Sequence, residues 1–453
     1  MRIPKFALAF LFAVCVVVYL TYVKHHYDDK KPALLKQPLY TPALHSHTRP
    51  TSAEVVSEEF QYGIMFDAGS TGTRIHVFKF LLQRNESPKL AHETFKAIKP
   101  GLSAYADDPD GCAEGILTLL DVAKDGVPAL QWKSTPLVLK ATAGLRLLPG
   151  EKANHLLNKV KEIFKASPFL FVEEGVSIMD GTDEGVSAWI TINFLIGGLH
   201  TADTPTVGML DLGGGSTQIT FSPKDEITIQ TSPDDITSFQ MFNLTYTLYS
   251  HSYLGLGLMS ARLAVLGGTE GQPLQEGQEL VSPCLAPDYT GQWKQTEVTY
   301  TIRGQKAGEP IYESCLNKVE KMLYKKVKKA ENLKDMQFYA FSYYYDKGVD
   351  LGIIDAKVGG SIRVSDYIEG AKQVCNNMDS SSEGNPFICL DLTYISVLLQ
   401  ELGFPVDKVF KLARTIDGVE TSWALGATFH FLETLRTQSL TPEQFGGQAD
   451  IGQ

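Results

Sequence analysis

Cysteine is scarce in this sequence, and neither cysteine nor histidine occurs at the spacing of a metal site. Only 6 of the 453 residues are cysteine, no two of them form a CxxC motif, and the 10 histidines include no HExxH motif. These motifs are the usual sequence signatures of structural and catalytic zinc. We therefore assign no cysteine or histidine to a metal.

The chain also lacks an excess of positive charge. It has 41 Lys and Arg residues against 52 Asp and Glu residues, which gives a formal net charge of −11. This balance argues against extensive nucleic-acid binding, because nucleic-acid backbones attract basic surfaces. An anionic substrate is still compatible with it, since a bound metal ion can supply positive charge locally.

Long apolar runs are absent except at the N-terminus, where residues 6–23 are interrupted only by Thr21. About eighteen apolar residues just span a bilayer. The run is longer than a typical signal-peptide core and no clear cleavage site follows it, so a retained signal-anchor is favoured over a cleaved signal peptide. We predict a cytoplasmic N-terminus at 1–5, a transmembrane helix at 6–23 and a flexible stalk at 24–59.

Paired cysteines and glycosylation motifs indicate that the body of the protein is lumenal. Behind a membrane-targeting segment, cysteines that are close in sequence are naturally interpreted as disulfides, with buried free thiols as the alternative. Cys112 has no such neighbour and is predicted to be free. The motifs for N-glycosylation begin at Asn85 and Asn243, and Pro88 weakens the first. The predicted disulfides join Cys284 to Cys315 and Cys375 to Cys389.

Two segments with nearly the same sequence are the most informative feature of the chain. Residues 67–74 read DAGSTGTR and residues 211–218 read DLGGGSTQ, and each lies between two apolar, strand-like runs. Glycines let the backbone approach a ligand, and the N–H and hydroxyl groups of such a loop can surround phosphate oxygens. One copy alone could be an ordinary hairpin turn, but two copies with the acid placed first favour a phosphate clamp. The candidate phosphate-binding residues are Gly69, Ser70, Thr71, Gly72, Thr73, Arg74, Gly213, Gly214, Gly215, Ser216 and Thr217.

The rest of the chain alternates strands with helices, which predicts mixed α/β sheets with covered faces. A duplicated α/β unit with facing loops places the active site in the cleft between its halves. In the first half we predict strands at 137–139 and 176–178 and helices at 151–166 and 186–195. In the second half we predict a helical stretch at 246–266, a polar insert at 268–311, a charged helix at 315–331, a strand at 337–342, and helices at 392–402 and 423–435.

Hydrolysis of a phosphoanhydride also needs a metal to balance charge and a group that activates water. Asp67 and Asp211, at the ends of strands, are the candidate ligands of a hard divalent cation, directly or through water. Glu184, at a strand-to-helix junction, is either the base or an acid that complements the helix dipole. Thr142 is either a ligand of water or phosphate, or part of an ordinary turn. The aromatic residues Tyr343, Tyr344 and Tyr345 either stack on a nucleobase or belong to the core, and Trp423 is interpreted as core.

These residues resemble a known family, the ectonucleoside triphosphate diphosphohydrolases or apyrases. The resemblance rests on five blocks, in the same order and spacing over nearly the whole body. They are residues 67–74, 140–147 (KATAGLRL), 180–193, 211–218 and 417–426.

The resemblance implies two RNase H-like lobes of the actin-like superfold with the active site in the cleft between them. The lobes would be residues 60–205, with the helix at 423–435 packing back on them, and 206–422, followed by a polar tail at 438–453. It further implies that Glu184 is the general base and that Thr142, Ser216 and Gln218 position water. Asp67 and Asp211 would hold hydrated Mg²⁺ or Ca²⁺, and the tyrosines at 343–345 would stack on the base.

Within that family the chain resembles the lumenal diphosphatase branch, because it has one predicted membrane helix and two predicted disulfides. Residues 253–260 and 338–346 are similar to one member in particular, a Golgi and partly secreted enzyme, with an endoplasmic-reticulum UDPase as the close competitor. The branch implies metal-dependent hydrolysis of GDP, UDP or IDP to the monophosphate, which removes an inhibitor of lumenal glycosyltransferases. It implies a single-pass Golgi membrane protein with a lumenal body, a possible secreted form, and no nucleic-acid or obligate protein partner.

Two other functions share the phosphate loops. A sugar kinase or an exopolyphosphatase of the same superfold would have both loops, and a kinase would also need a sugar site with its own base. A nucleotide-dependent switch of the actin or chaperone type would retain nucleotide tightly and turn it over slowly. Phosphate release from a panel of nucleotides and polyphosphate distinguishes the three.

The predicted orientation can be tested through the second glycosylation motif. Because residues 60–453 are expected in the lumen, glycosidase treatment should increase the gel mobility of the wild-type protein and leave that of Asn243→Gln unchanged. Identical mobility of the wild type before and after treatment would contradict a lumenal body.

Overall fold

The computed structural model describes residues 59–83, 87–199, 201, 204–275, 277–296, 298–305, 311–378 and 384–440. The predicted anchor at 6–23, the terminus at 1–5, the stalk up to residue 58, Asn85 and the tail from residue 441 lie outside these ranges. Within them, no helix combines the length and the hydropathy needed to cross a membrane.

The described chain alternates strands with helices. The strands are β1 (Glu59–Ala68), β2 (Thr73–Leu82), β3 (Lys89–Ile98), β4 (Pro136–Ala141), β5 (Leu170–Ile178), β6 (Gly208–Leu212), β7 (Ser216–Phe221), β8 (Ile236–Met241), β9 (Leu244–Leu254), β10 (Leu280–Ser282), β11 (Thr290–Gln295), β12 (Val298–Gly304), β13 (Phe338–Ser342), β14 (Gly360–Arg363), β15 (Val409–Leu412), β16 (Thr415–Ile416) and β17 (Val419–Glu420). The helices are α1 (Ala113–Gly126), α2 (Ala143–Arg146), α3 (Gly150–Lys165), α4 (Gly181–Leu195), α5 (Glu226–Thr231), α6 (Leu258–Leu266), α7 (Ile311–Leu323), α8 (Tyr343–Asp350), α9 (Val364–Asn376), α10 (Ile388–Glu401) and α11 (Ala424–Leu440).

Two sheets repeat one strand pattern. The first has the order β3-β2-β1-β4-β5, and the second has the order β14-β15-β13-β6-β7-β9-β8. In the first sheet, β1 pairs antiparallel with β2 and parallel with β4. In the second, β6 pairs in the same way with β7 and β13. Each glycine-rich loop therefore connects the central strand of its sheet to the neighbouring antiparallel strand.

The cores follow from burial of the apolar helix faces against these sheets. The apolar face of α3, which includes Leu156, Val160 and Phe164, is buried against one side of the first sheet. Helix α4 is buried on nearly all sides, which its continuous apolar sequence predicts. A Cβ atom added to Gly426 of α11 would lie 2.0 Å from the backbone oxygen of Ser187, so these two helices are in backbone contact.

Helix α11 also packs on the first sheet, although it is the last helix in sequence. A Cβ atom at Gly63 of β1 would lie 2.7 Å from Thr428 Cγ2. The rings of Phe80 in β2 and Phe429 in α11 lie 5.1 Å apart. Residues from both ends of the described chain thus share one core.

Two sequence predictions for the second half were wrong, and a third segment has more structure than the sequence indicated. The stretch 246–266 is not one helix: strand β9 precedes the shorter helix α6. Strand β9 has many aromatic and threonine residues, and parts of both its faces are buried. Its sequence therefore lacks the regular alternation of polar and apolar residues that indicates a strand. The charged helix predicted at 315–331 ends at Leu323, because Lys325 adopts a left-handed conformation with φ 58°. The polar insert at 268–311 contains the small sheet of β10, β11 and β12.

The cysteines and the second glycosylation motif occupy clear positions. Disulfides join Cys284 to Cys315 and Cys375 to Cys389. Cys112 is free and buried, and burial raises the pKa of its thiol to about 11. Asn243 is exposed in the turn between β8 and β9, where φ is 63° and asparagine is well tolerated.

Candidate active site

The two glycine-rich loops face each other directly. A Cβ atom at Gly214 would lie 2.4 Å from Ser70 Oγ and 2.9 Å from Thr71 Cγ2, so only glycine fits at this position. The loops border a cleft of about 370 Å³. Of the predicted residues, those that line the cleft are Asp67, Gly69, Ser70, Thr71, Arg74, Thr142, Glu184, Asp211, Gly213, Gly214, Gly215, Ser216, Tyr343 and Tyr345.

Two aspartates lie at equivalent positions, at the ends of the central strands, and both are buried. Asp67 Oδ2 accepts a hydrogen bond from Arg74 Nη1 at 2.8 Å, and Asp67 raises the pKa of that guanidinium. Asp211 Oδ1 accepts a hydrogen bond from Ser342 Oγ at 2.7 Å. Burial raises the pKa of Asp211, so this carboxylate gains stability from any positive charge that enters the cleft.

A divalent cation fits these two carboxylates if water completes its coordination. Asp67 Oδ1 is buried and has no hydrogen-bond partner, which leaves one acceptor available in the cleft. Among the described residues, no group of three or more His, Cys, Asp or Glu side chains is placed to hold a metal ion. The donor set is therefore two hard oxygen ligands, of the kind that Mg²⁺ and Ca²⁺ prefer.

Glu184 lies in the first turn of α4 and is 7% exposed. The helix begins there because the Asp180 side chain caps it, accepting a hydrogen bond from Thr182 N at 2.8 Å. Arg146 donates a hydrogen bond to Glu184 Oε2. Burial raises the pKa of Glu184 to about 8, against the opposing effect of the Arg146 charge. A carboxylate with this pKa is suited to accept a proton near neutral pH.

Gln218 contacts this carboxylate, whereas Thr142 is placed beside it only as a residue of the cleft lining. Gln218 Nε2 lies 2.9 Å from Ser216 Oγ and 3.3 Å from Glu184 Oε2, so it connects the second loop to the acid. Its own Oε1 is buried without a partner, and the residue lies behind the cleft lining rather than in it. Thr142 lines the cleft, and its hydroxyl caps no helix.

Some predicted residues do not line the cleft. Tyr344 is 1% exposed and belongs to the core of the second sheet, so only Tyr343 and Tyr345 are placed to contact a ligand. Thr217 instead supports the loop, because its hydroxyl donates to the backbone oxygen of Asp211 at 2.7 Å. Gly72 and Thr73 also lie outside the lining, at the base of the first loop.

Sequence reasoning missed several residues of the cleft. Arg146 contacts Glu184 across 38 positions and Ser342 contacts Asp211 across 131, and no local pattern predicts such pairs. Trp423 was interpreted as core, and it is indeed buried, but it also lines the cleft. Further lining residues that the sequence did not suggest are Phe95, Ala97, Lys99, Ala143, Asp346, Ala413, Arg414, Glu420, Thr421 and Ser422.

Sequence comparisons match this chain to known nucleotide-hydrolysing proteins. The model described as the GDA1/CD39 (nucleoside phosphatase) family matches residues 53–443. Ectonucleoside triphosphate diphosphohydrolase 6 of Homo sapiens is 56% identical over 443 residues, which cover 97% of this chain and 91% of that one. Nucleoside diphosphate phosphatase ENTPD5 of Homo sapiens is 50% identical over 383 residues, which cover 84% and 89%. The resemblance to the apyrase family is confirmed, and so is the similarity within it to one member, ectonucleoside triphosphate diphosphohydrolase 6.

A solved structure supports the fold assignment. Nucleoside triphosphate hydrolases from Neospora caninum include a chain that superposes with a TM-score of 0.59 at 15% identity, covering 85% of this chain and 94% of that one. At this identity the likeness concerns the fold alone. The fold is the α/β, actin-like fold of nucleotide hydrolases.

The contact between the two loops generates a prediction with a matched control. In Gly214→Ala the new methyl group would overlap Ser70 Oγ, so the loops should separate and the free energy of unfolding should fall by about 1–3 kcal/mol. In Gly213→Ala the nearest atom, the backbone oxygen of Ser216 in the same loop, lies 3.3 Å away, so the loss should be smaller and the two loops should stay together. Chemical denaturation measures both, and equal stability of the two variants would show that the loops are not in contact.

Proposed function

The chain belongs to the GDA1/CD39 (nucleoside phosphatase) family, and we propose that it is a divalent-cation-dependent nucleoside diphosphatase that produces a nucleoside monophosphate and phosphate. The observation on which this rests most is the position of Glu184. It is a buried carboxylate with a raised pKa, in a cleft between two loops that are built to surround phosphates. A phosphate clamp beside a base is the minimum that hydrolysis of a phosphoanhydride requires.

In the proposed mechanism the loops fix the diphosphate and Glu184 activates water. Backbone N–H groups at 70–71 and 214–215, with the hydroxyls of Ser70 and Thr71, bind the phosphate oxygens, whereas the N–H groups of Gly69 and Gly213 close their own loops. Glu184 accepts the proton of a water molecule as that water attacks the terminal phosphorus in line with the leaving group. Ser216 and Thr142, which line the same cleft, orient the water.

Arg146 and Gln218 hold the base in position. Both donate hydrogen bonds to Glu184 Oε2, which leaves Oε1 as the oxygen that can accept the proton. Arg146 also lowers the pKa of Glu184 against the effect of burial, so that part of the population is ionised near neutral pH. Gln218 further holds Ser216 Oγ at 2.9 Å.

Asp67 and Asp211 would hold a hydrated Mg²⁺ or Ca²⁺. Bound there, such an ion would neutralise phosphate charge between two carboxylates that otherwise repel the substrate. The unpartnered Asp67 Oδ1 and the raised pKa of Asp211 both favour a cation at this position. Arg74 keeps Asp67 Oδ2 in place.

The nucleoside would extend toward Tyr343 and Tyr345, the two tyrosines of the cluster that line the cleft. An aromatic ring stacks on any base, which suits an enzyme that accepts GDP, UDP and IDP. Arg414 lines the same end of the cleft and its charge acts on Tyr345. The preference for diphosphates over triphosphates is inferred from the relative named nucleoside diphosphate phosphatase.

We place the enzyme in the Golgi membrane, with its body in the lumen and a cleaved, secreted form possible. The two disulfides support an oxidising compartment, and Asn243 is exposed. There it would remove nucleoside diphosphates that inhibit glycosyltransferases. The repeated strand order supports two RNase H-like lobes, residues 60–205 and 206–422, with the cleft between them.

The substrate proposal predicts a specific activity profile. With Mg²⁺ or Ca²⁺, GDP, UDP and IDP should release phosphate faster than ATP, and polyphosphate should release little. EDTA should abolish the activity, because two carboxylates and two phosphates repel each other without a cation. Faster ATP turnover would contradict the diphosphatase assignment, and full activity in EDTA would contradict the cation.

The mechanism predicts the behaviour of Glu184→Gln. The change keeps the shape of the side chain and removes the base, so kcat should fall by about 10²–10⁴ while nucleotide affinity is retained. In the wild type, kcat/KM should rise as pH rises through about 8, since the carboxylate is active when ionised. A near-normal kcat for the variant, or a flat wild-type pH profile, would show that Glu184 is not the base. Its role would then be to complement the dipole of helix α4.

A further inference from the structure

The two glycine-rich loops differ in the hydrogen-bond partners of their aspartates. Asp67 pairs in register with Arg74, and the Arg74 side chain bonds to Asp67. Asp211 pairs in register with Gln218, but the Gln218 side chain bonds to Ser216, Ser252 and Glu184 instead. The second aspartate therefore has no side-chain partner from its own loop.

Ser342 supplies the missing partner from another strand. It is the last residue of β13, which lies beside β6 in the second sheet, and its hydroxyl donates to Asp211 Oδ1 at 2.7 Å. The same residue occupies the N-cap position of α8, where serine commonly caps the helix, yet its side chain makes no capping hydrogen bond. The hydroxyl therefore bonds to the aspartate, and the N-terminus of α8 lacks a side-chain cap.

The backbone of Ser342 is strained. Its φ of 54° and ψ of −123° lie in a region that is nearly restricted to glycine. In the first half, Ala141 holds the position that corresponds to Ser342, and one further residue, Thr142 with φ −105°, connects β4 to α2. In the second half no residue lies between β13 and α8, and Ser342 itself makes the turn. The residue that contacts Asp211 is thus the one that carries the strain of this shorter connection.

We propose that Ser342 is the positioning residue of Asp211. Its hydroxyl fixes Oδ1, so that Oδ2 is the oxygen that would hold a hydrated cation. The strained backbone is retained because it places that hydroxyl against the aspartate. The inference rests on the proposed function, in which Asp211 is the second holder of the cation.

The test compares Ser342→Gly with Ser342→Ala, which both remove the hydroxyl and differ in backbone strain. Both variants lose a hydrogen bond to a buried carboxylate, but glycine also relieves the strain, so its Tm should exceed that of the alanine variant by about 1–3 °C. Without the hydroxyl, kcat for UDP and the affinity for Mn²⁺, measured by electron paramagnetic resonance without nucleotide, should each fall by about 10–100-fold in both variants.

Lys325→Gly is the matched control for strain relief. Lys325 also has a positive φ, of 58°, and it is exposed after α7, outside the cleft lining. Its replacement should raise Tm while kcat and Mn²⁺ affinity stay at the wild-type values.

The outcomes separate this inference from the proposed function. A Tm for Ser342→Gly above that of Ser342→Ala, with reduced kcat and Mn²⁺ affinity in both, supports it. A kcat and Mn²⁺ affinity within about threefold of wild type would overturn it, because loss of the hydrogen-bond partner of a metal ligand usually costs about tenfold or more. So would a Tm for Ser342→Gly no higher than that of Ser342→Ala. If the wild type released no phosphate from any nucleotide, the proposed function would fail, and the Mn²⁺ measurement alone would decide the role of Ser342.

Discussion

Three carboxylates buried in one cleft are the constraint on which the rest of the site depends. Asp67, Asp211 and Glu184 are between 5% and 7% exposed, and the two aspartates both raise the pKa of the glutamate. Such a cluster is unfavourable in a low-dielectric environment unless donors surround it. Arg74, Arg146, Ser342 and Gln218 are those donors, and each comes from a different part of the chain. In the proposed function, a bound cation would relieve the repulsion that remains.

Much of the fold was predictable because it repeats. The acid-first glycine loop between two strands is a local pattern, and its second copy is enough to indicate the duplication from the amino-acid sequence alone. The errors arose where tertiary contacts overrode local signals. Strand β9 is partly covered on both faces and so lacks clean alternation, and α7 ends where one lysine adopts a left-handed conformation. Neither feature has a strong signature in sequence.

The site was predictable in its loops and not in its contacts. The acids and glycines are defined by their neighbours in sequence, so their grouping could be inferred. Which tyrosine of three adjacent ones faces the cleft depends on the helical turn of α8, and Tyr344 points into the core. The pairs Arg146–Glu184 and Ser342–Asp211 depend on how separate strands come together in space. Such pairs become visible only in the folded structure.

The position of α11 has a consequence for how the molecule is made. Its residues complete the core beneath β1 and β2, yet they are the last of the described chain to be synthesised. Domains usually fold in order of synthesis, the N-terminal one first. Here the first sheet leaves the ribosome with an exposed apolar face around Gly63 and Phe80. The face stays exposed until Phe429, some 350 residues after Phe80, has been synthesised. During that interval the nascent chain needs protection from aggregation, and loss of the C-terminal helix would expose the oldest part of the protein.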